Sequence, residues 1–186
     1  YMLIRLDGGD LLAVPLSVVK TALRVDFDDD DGPITDLIRG EARRYELFTR
    51  RIVTPGLFEA MFEGWDHVLD IRADPVGAVL AVDYIDDAGA RQTLPDAGWT
   101  VENRPSGGAV RIVADTWPAL GDEPWPVRVM FRAGSSGSGG TGDEDGVTDP
   151  ADRSAIIHMV KCQYDRDEVL TEDELRRRFG GRRLLW

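Results

Sequence analysis

The chain has 186 residues, 42% hydrophobic and 30% charged, with a net charge of −12. That is enough length for one domain, or a compact one with an appendage, and for a sizeable core; no run of about 18 apolar residues is present to span a bilayer. The acidity argues against direct duplex binding by the body, because affinity for phosphate comes mainly from cationic contacts that release counterions.

Charge is unevenly placed. Residues 175–186 hold Arg176, Arg177, Arg178, Arg182 and Arg183 and no acid, so the rest of the chain is more acidic than the net figure. The N-terminal residues have no basic segment ahead of an apolar core, so no secretory signal is expected, and Tyr1 before Met2 reads as a trimmed start. The single Cys162 cannot form an intrachain disulfide, which suits a reducing cytosol or a particle assembled there.

In chain order, residues 1–14 read as an extended arm broken at Asp7-Gly8-Gly9-Asp10. Pro15 opens a short helix with Leu16, Val19 and Leu23 on one face. The acidic run Asp26 to Asp31 stops it, and Asp31-Gly32-Pro33 opens a second helix, with proline in the first turn and carboxylates at its positive end. Ile34, Leu37, Ile38, Ala42, Tyr45, Phe48 and Ile52 form its apolar face, with charged residues on the rest and Thr54-Pro55-Gly56 as its stop.

The pattern then changes. From Leu57 to about Gly134, short alternating or β-branched runs separated by prolines read as a small antiparallel β module, with Asp86-Asp87-Ala88-Gly89 as a hairpin turn. Residues 134–148 are a flexible, low-complexity Gly/Ser/acidic loop. Asp149-Pro150 starts a third helix to about Arg166, and Thr171-x-x-Glu174 is a capping box for a last short one.

Each candidate for chemistry has a plainer explanation. An EF-hand count from Asp26 puts Asp31 where glycine is needed and Leu37 where the bidentate glutamate belongs, so the run reads as a solvated helix start. The glycine-rich tract lacks the lysine of a phosphate loop. His67, His158 and Cys162 do not make a structural zinc set. Cys162, four residues past His158, shares its helix face and reads as a packing residue. No catalytic residue, cofactor or metal is expected. Trp186 follows Arg182, Arg183, Leu184 and Leu185, an apolar tip on a basic stem of the kind that anchors in a partner.

Lys20-Thr21-Ala22-Leu23-Arg24-Val25-Asp26, the acidic turn, and then Ile34, Leu37-Ile38, Ala42, Tyr45-Glu46, Thr49 and Arg50-Arg51 together resemble the head–tail connector (adaptor) proteins of tailed phages and gene transfer agents. Ile71-Arg72-Ala73-Asp74-Pro75-Val76, Val79 to Val82, Tyr84-Ile85-Asp86 with Gly89, and Val127 to Gly134 are similar to the subgroup with an inserted β module, so the resemblance spans residues 15–166. The loop before the third helix is longer and richer in Gly and Ser than that pattern, and the tail after Arg166 matches no motif.

The resemblance implies an α+β fold: a helical connector core of two N-terminal helices and a C-terminal one, an inserted β module and an extended C-terminal tail. Its segments would be 1–56 (arm and two helices), 57–133 (β module), 134–148 (loop), 149–170 (closing helix) and 171–186 (short helix and basic tail). It implies a non-enzymatic closed ring of about twelve subunits with heterologous interfaces. That ring would lie in a particle neck assembled in the bacterial cytoplasm, between the portal protein and a stopper or tail-completion protein, with DNA passing through unread. Arg39, Arg43, Arg44, Glu46, Arg50 and Arg51 are the candidates for pairing between subunits, and Arg182, Arg183, Leu184, Leu185 and Trp186 for docking on the portal. The alternatives are a small-ligand or peptide-binding module with Trp99, Trp117 and Trp125 lining a cleft, or a small hydrolase using His158.

Overall fold

The computed structural model describes residues 1–7, 11–66, 68–103, 110–114, 116–134, 149–166 and 169–182. Its elements are β1 (Met2–Arg5), α1 (Leu16–Leu23), α2 (Asp31–Thr49), β2 (Gly56–Phe62), β3 (Leu69–Ile71), β4 (Val76–Ile85), β5 (Arg91–Thr93), β6 (Thr100–Asn103), β7 (Val110–Val113), β8 (Val127–Ala133), α3 (Pro150–Arg166) and α4 (Glu172–Phe179). The fold is α+β, as the sequence implies. It divides into two compact units, Tyr1–Gly8 with Gly56–Ala133 and Gly9–Pro55 with Gly134–Trp186.

The first unit holds the strands. One antiparallel sheet runs β1-β2-β8-β4-β5 and a second runs β3-β7-β6. Phe58, Ala60 and Phe62 alternate along β2 as strand periodicity requires, and with Val127, Val129 and Phe131 of β8 they are buried. The opposite face of the same sheet sets paired charges beside Met61 and Met130. Glu59 lies 3.6 Å from Arg128, and Asp83 accepts from Arg91 at 2.6 Å and from the Thr93 hydroxyl at 2.6 Å.

Residues 2–5 of the expected arm form a strand along β2, Met2 opposite Met61 and Arg5 opposite Phe58. The hairpin turn forms where the sequence indicates: the Asp86 carbonyl accepts from Gly89 N at 2.9 Å, with Gly89 at φ 78°. Trp65 stacks on Trp117 at 4.4 Å and donates to the Pro118 carbonyl at 2.8 Å. Its ring therefore packs within its own unit.

The second unit holds the helices. Val19, Ile34, Ile38, Ala42, Tyr45, Ile156, Met159 and Val160 bury one face each of α1, α2 and α3, joined by Leu170 and Leu175. Both α1 and α2 end on arginines in the left-handed conformation, Arg24 and Arg50 at φ 60°. α4 carries the capping box, Thr171 Oγ1 accepting from Glu174 N at 3.4 Å and Glu174 Oε2 accepting from Thr171 N at 2.8 Å. The hydroxyl of buried Tyr45 on α2 donates to Asp152, in the first turn of α3, at 2.7 Å. Asp152 is fully buried, and Arg51 closes on its other oxygen at 3.3 Å.

Two strand neighbours connect the units in sequence. Gly56 at the start of β2 pairs with Ala133 at the end of β8, so the chain enters and leaves the β unit on adjacent strands. Just beyond, Gly134 has φ 104°, and a Cβ there would fall 2.6 Å from Pro55 Cα. Only glycine fits that crossing.

Removing one partner of a buried charge leaves the other uncompensated, so Asp152→Ala is expected to cost about 3–5 kcal/mol. Tyr45→Phe, which removes one hydrogen bond, is expected to cost about 1–3 kcal/mol. Urea denaturation of both variants checks the order; equal and small losses would show that the cluster does not hold the helices.

Candidate assembly surfaces of the helical unit

The charged flank of α2 divides into an inner and an outer set. Glu41 and Glu46 are buried, each under an arginine three residues away: Arg44 reaches Glu41 at 3.2 Å, and Arg43 reaches Glu46 at 3.5 Å. The second oxygen of Glu46 accepts from Val53 N at 3.0 Å and Thr54 N at 2.9 Å, which fixes the chain after the helix has ended. Arg51 is turned in on Asp152. Arg39, Arg43 and Arg50 are exposed.

At the other end of α2 the acidic turn is structured as well as solvated. Lys20 of α1 donates to Asp28 at 2.8 Å and to Asp31 at 2.6 Å, and Tyr164 of α3 donates to Asp30 at 2.6 Å. The carboxylates that begin α2 thus tie it to the other two helices. The hydrogen bond from Lys20 holds the Asp28 carboxyl below its ordinary value of 3.8 and raises the Lys20 ammonium, and the bond to Asp30 raises the Tyr164 hydroxyl. Phe27, between Asp26 and Asp28, is exposed.

Between α2 and α4 runs a groove of about 620 Å³, lined by Arg44, Leu47, Phe48, Val169, Leu170, Thr171, Glu172 and Leu175. Its floor is apolar, and Leu47 (65% exposed) and Val169 (54%) stand out from it. Apolar side chains open to water at a rim of charge are the composition of a contact surface.

No protein-family model and no curated protein sequence matches the chain. Solved structures do. A chain in the neck of an empty GTA particle, computed with C6 symmetry, superposes with a TM-score of 0.75 at 19% identity, covering 100% of this chain and 97% of that one. A chain in the virion of a native gene transfer agent (GTA) particle gives 0.73 at 17% identity, and one in the neck of a native GTA particle computed with C12 symmetry gives 0.70 at 16%, with the same coverage. The chain has a GTA neck-protein fold.

Within the neck-protein fold, the pairing candidates named from the sequence separate. Glu46 and Arg51 are committed inside the subunit, Arg44 is half-buried over Glu41, and Arg39, Arg43 and Arg50 remain at the surface. Of the tail, only the backbone of Arg182 falls within the described residues; Arg183, Leu184, Leu185 and Trp186 lie outside them, as do His67 and residues 135–148. His158 is exposed on α3, in contact with Arg178 of α4 and 3.6 Å from the buried Cys162 thiol.

Among the described residues no group of three or more His, Cys, Asp or Glu could hold a metal ion, and no helix is long and apolar enough to cross a membrane. A polar recess of about 500 Å³ in the β unit is lined by Trp65, with Tyr1, Asp66, Asp70 and Arg72, and not by Trp99, Trp117 or Trp125. Sequence reasoning missed the groove. Leu47 breaks the apolar periodicity of α2, and that mismatch was the available signal.

Asp28 and Lys20 between them define a pH window. Asp28 titrates lower in the folded chain, so its contribution is present above its ordinary value and is lost as pH falls through the depressed one. Lys20 titrates higher, so its contribution is complete below 10.5 and lost as pH rises through the raised value. Lys20→Met is expected to return the Asp28 pKa upward toward 3.8 in a carboxyl-resolved NMR titration. An unmoved titration would mean that Lys20 does not hold the turn.

Proposed function

We propose that the chain is a structural head–tail connector, an adaptor in the neck of a gene transfer agent or phage particle. The observation that carries this reading is the agreement of fold over its whole length with chains of GTA necks. In this reading identical subunits form a closed ring of about twelve, joined by heterologous interfaces. The C6 and C12 symmetry of those neck particles supports such a ring.

The ring lies between portal and tail and extends the DNA channel. A chain whose net charge is −12 even with a five-arginine C-terminal stretch is suited to a wall that DNA passes without sticking, since its acids outnumber the bases that would displace counterions. The role is assembly, with no reaction and no cofactor. The exposed Arg39, Arg43 and Arg50 pair across subunits, while Glu46, Arg44 and Arg51 shape α2 from within. The basic tail Arg182, Arg183, Leu184, Leu185 and Trp186 docks on the portal, and the opposite side of the ring receives a stopper or tail-completion protein.

Capture of the cognate portal by the purified full chain tests the reading. The full chain is expected to retain the portal, and a chain lacking residues 180–186 to lose it while keeping its circular dichroism spectrum. Retention by the truncated chain would remove the tail from the portal contact, and no retention by either would remove the portal as partner.

A further inference from the structure

The two ends of α2 carry opposite versions of one motif. Leu47 is the most exposed large apolar side chain among the described residues, and its neighbours three and four positions away in the sequence include Arg43, Arg44, Arg50 and Arg51. Arg51 is paired with Asp152 and Arg44 with Glu41; Arg43, though it reaches Glu46, is still 69% exposed, so Arg43 and the exposed Arg50 carry the outward positive charge in the sequence around Leu47, while Arg44 lines the groove over a floor of Phe48, Leu170 and Leu175. Glu172, the acid on that lining, is paired with Arg176 at 3.2 Å. At the other end Phe27 is 48% exposed, with Asp26, Asp28 and Asp29 exposed on both sides of it.

These two features cannot meet in one subunit. Asp31 and Leu47 are sixteen residues apart on one continuous helix, so about 24 Å of helix separates the acidic turn from the groove. A contact between them therefore needs a second copy, and it joins one surface of a subunit to a different surface of the next. Repeated, such a heterologous contact closes a ring when its rotation permits.

We propose that the Leu47 groove of one subunit receives the Phe27 turn of a neighbouring copy of the same chain. This inference rests on the ring assembly proposed above. Phe27 covers Leu47, Val169 and Leu170, and the exposed carboxylates of Asp26 and Asp29 face Arg43 and Arg50. The charge pairs steer and select, and the buried apolar anchor carries the affinity. The chain's own terminal Leu184, Leu185 and Trp186 is a weaker occupant, because Arg182 and Arg183 have the sign of the arginines around the groove.

The test uses full-length chain with Cys162→Ala as background. One preparation carries Asp28→Cys, beside Phe27, and another Glu172→Cys, on the groove lining, so that Phe27 and Leu47 are both kept; the two are mixed, treated with a short bis-maleimide and analysed by mass, beside electron micrographs of the unmodified chain. A dimer cross-linked only when both cysteines are present is expected, and a chain carrying both is expected to give a ladder of multimers. Arg43→Asp in the Glu172→Cys partner is expected to lower the yield about tenfold, and Asp29→Arg in the Asp28→Cys partner to restore it.

Rings in micrographs with no cross-link would overturn the contact while leaving the ring. Cross-links without rings would keep the contact and remove the ring; absence of both would remove both. Yield that appears only after deletion of residues 183–186 would assign the groove to the chain's own tail and overturn the inference.

Discussion

The helical unit depends on one buried carboxylate. Asp152 is sealed from water in the first turn of α3, and it is held by the Tyr45 hydroxyl from one side and the Arg51 guanidinium from the other. A carboxylate there without partners would carry a large desolvation penalty, so α2, the segment just after it and α3 must assemble together or not at all. Tyr45 and Asp152 are 107 residues apart, with Gly56–Ala133 of the β unit between them in sequence. The cluster therefore joins the two halves of the helical unit across that insertion.

Everything exposed on α2 follows from what the cluster and its companions take inward. Glu46 holds the backbone of residues 53 and 54, Glu41 lies under Arg44, and the first carboxylates of the helix are bonded by Lys20 and Tyr164. What remains outward is sorted by sign, acids with Phe27 at the N-terminal end and arginines with Leu47 toward the other. A helix fixed inside its subunit and polar in charge along its length is suited to a directional contact with copies of itself. Surface charge pairs add little to stability one by one, and their use in such a contact is register and selection.

Much of this was legible in the sequence because it depends on local rules. Pro150 after Asp149, the Thr171–Glu174 box and the Asp86–Gly89 turn carry their geometry in the residue types, and the strand runs separated by prolines appear as β2 to β8. Burial of charge was not legible. Glu41 and Glu46 read as part of the charged flank of α2, and nothing in the pattern singled out Asp152, because the environment of all three is set by arginines, a tyrosine and backbone amides that periodicity does not locate. Leu37 and Ile52 are half-buried at the margin of the apolar pattern, and Leu47 is exposed because it lies off that pattern's face. The pairing of β1 with β2 was hidden for a similar reason: Met2, Leu3 and Ile4 are apolar without a clear period, and register comes from a partner more than fifty positions away.

The central claim is that this chain acts as a ring in a particle neck. Cryo-electron microscopy of the particle neck without imposed symmetry tests it most directly. The account predicts identical copies of this chain in a closed ring of about twelve, each with its helical unit at the contact between neighbours. Necks that contain the chain as a single copy, or particles in which it lies elsewhere, would contradict the account.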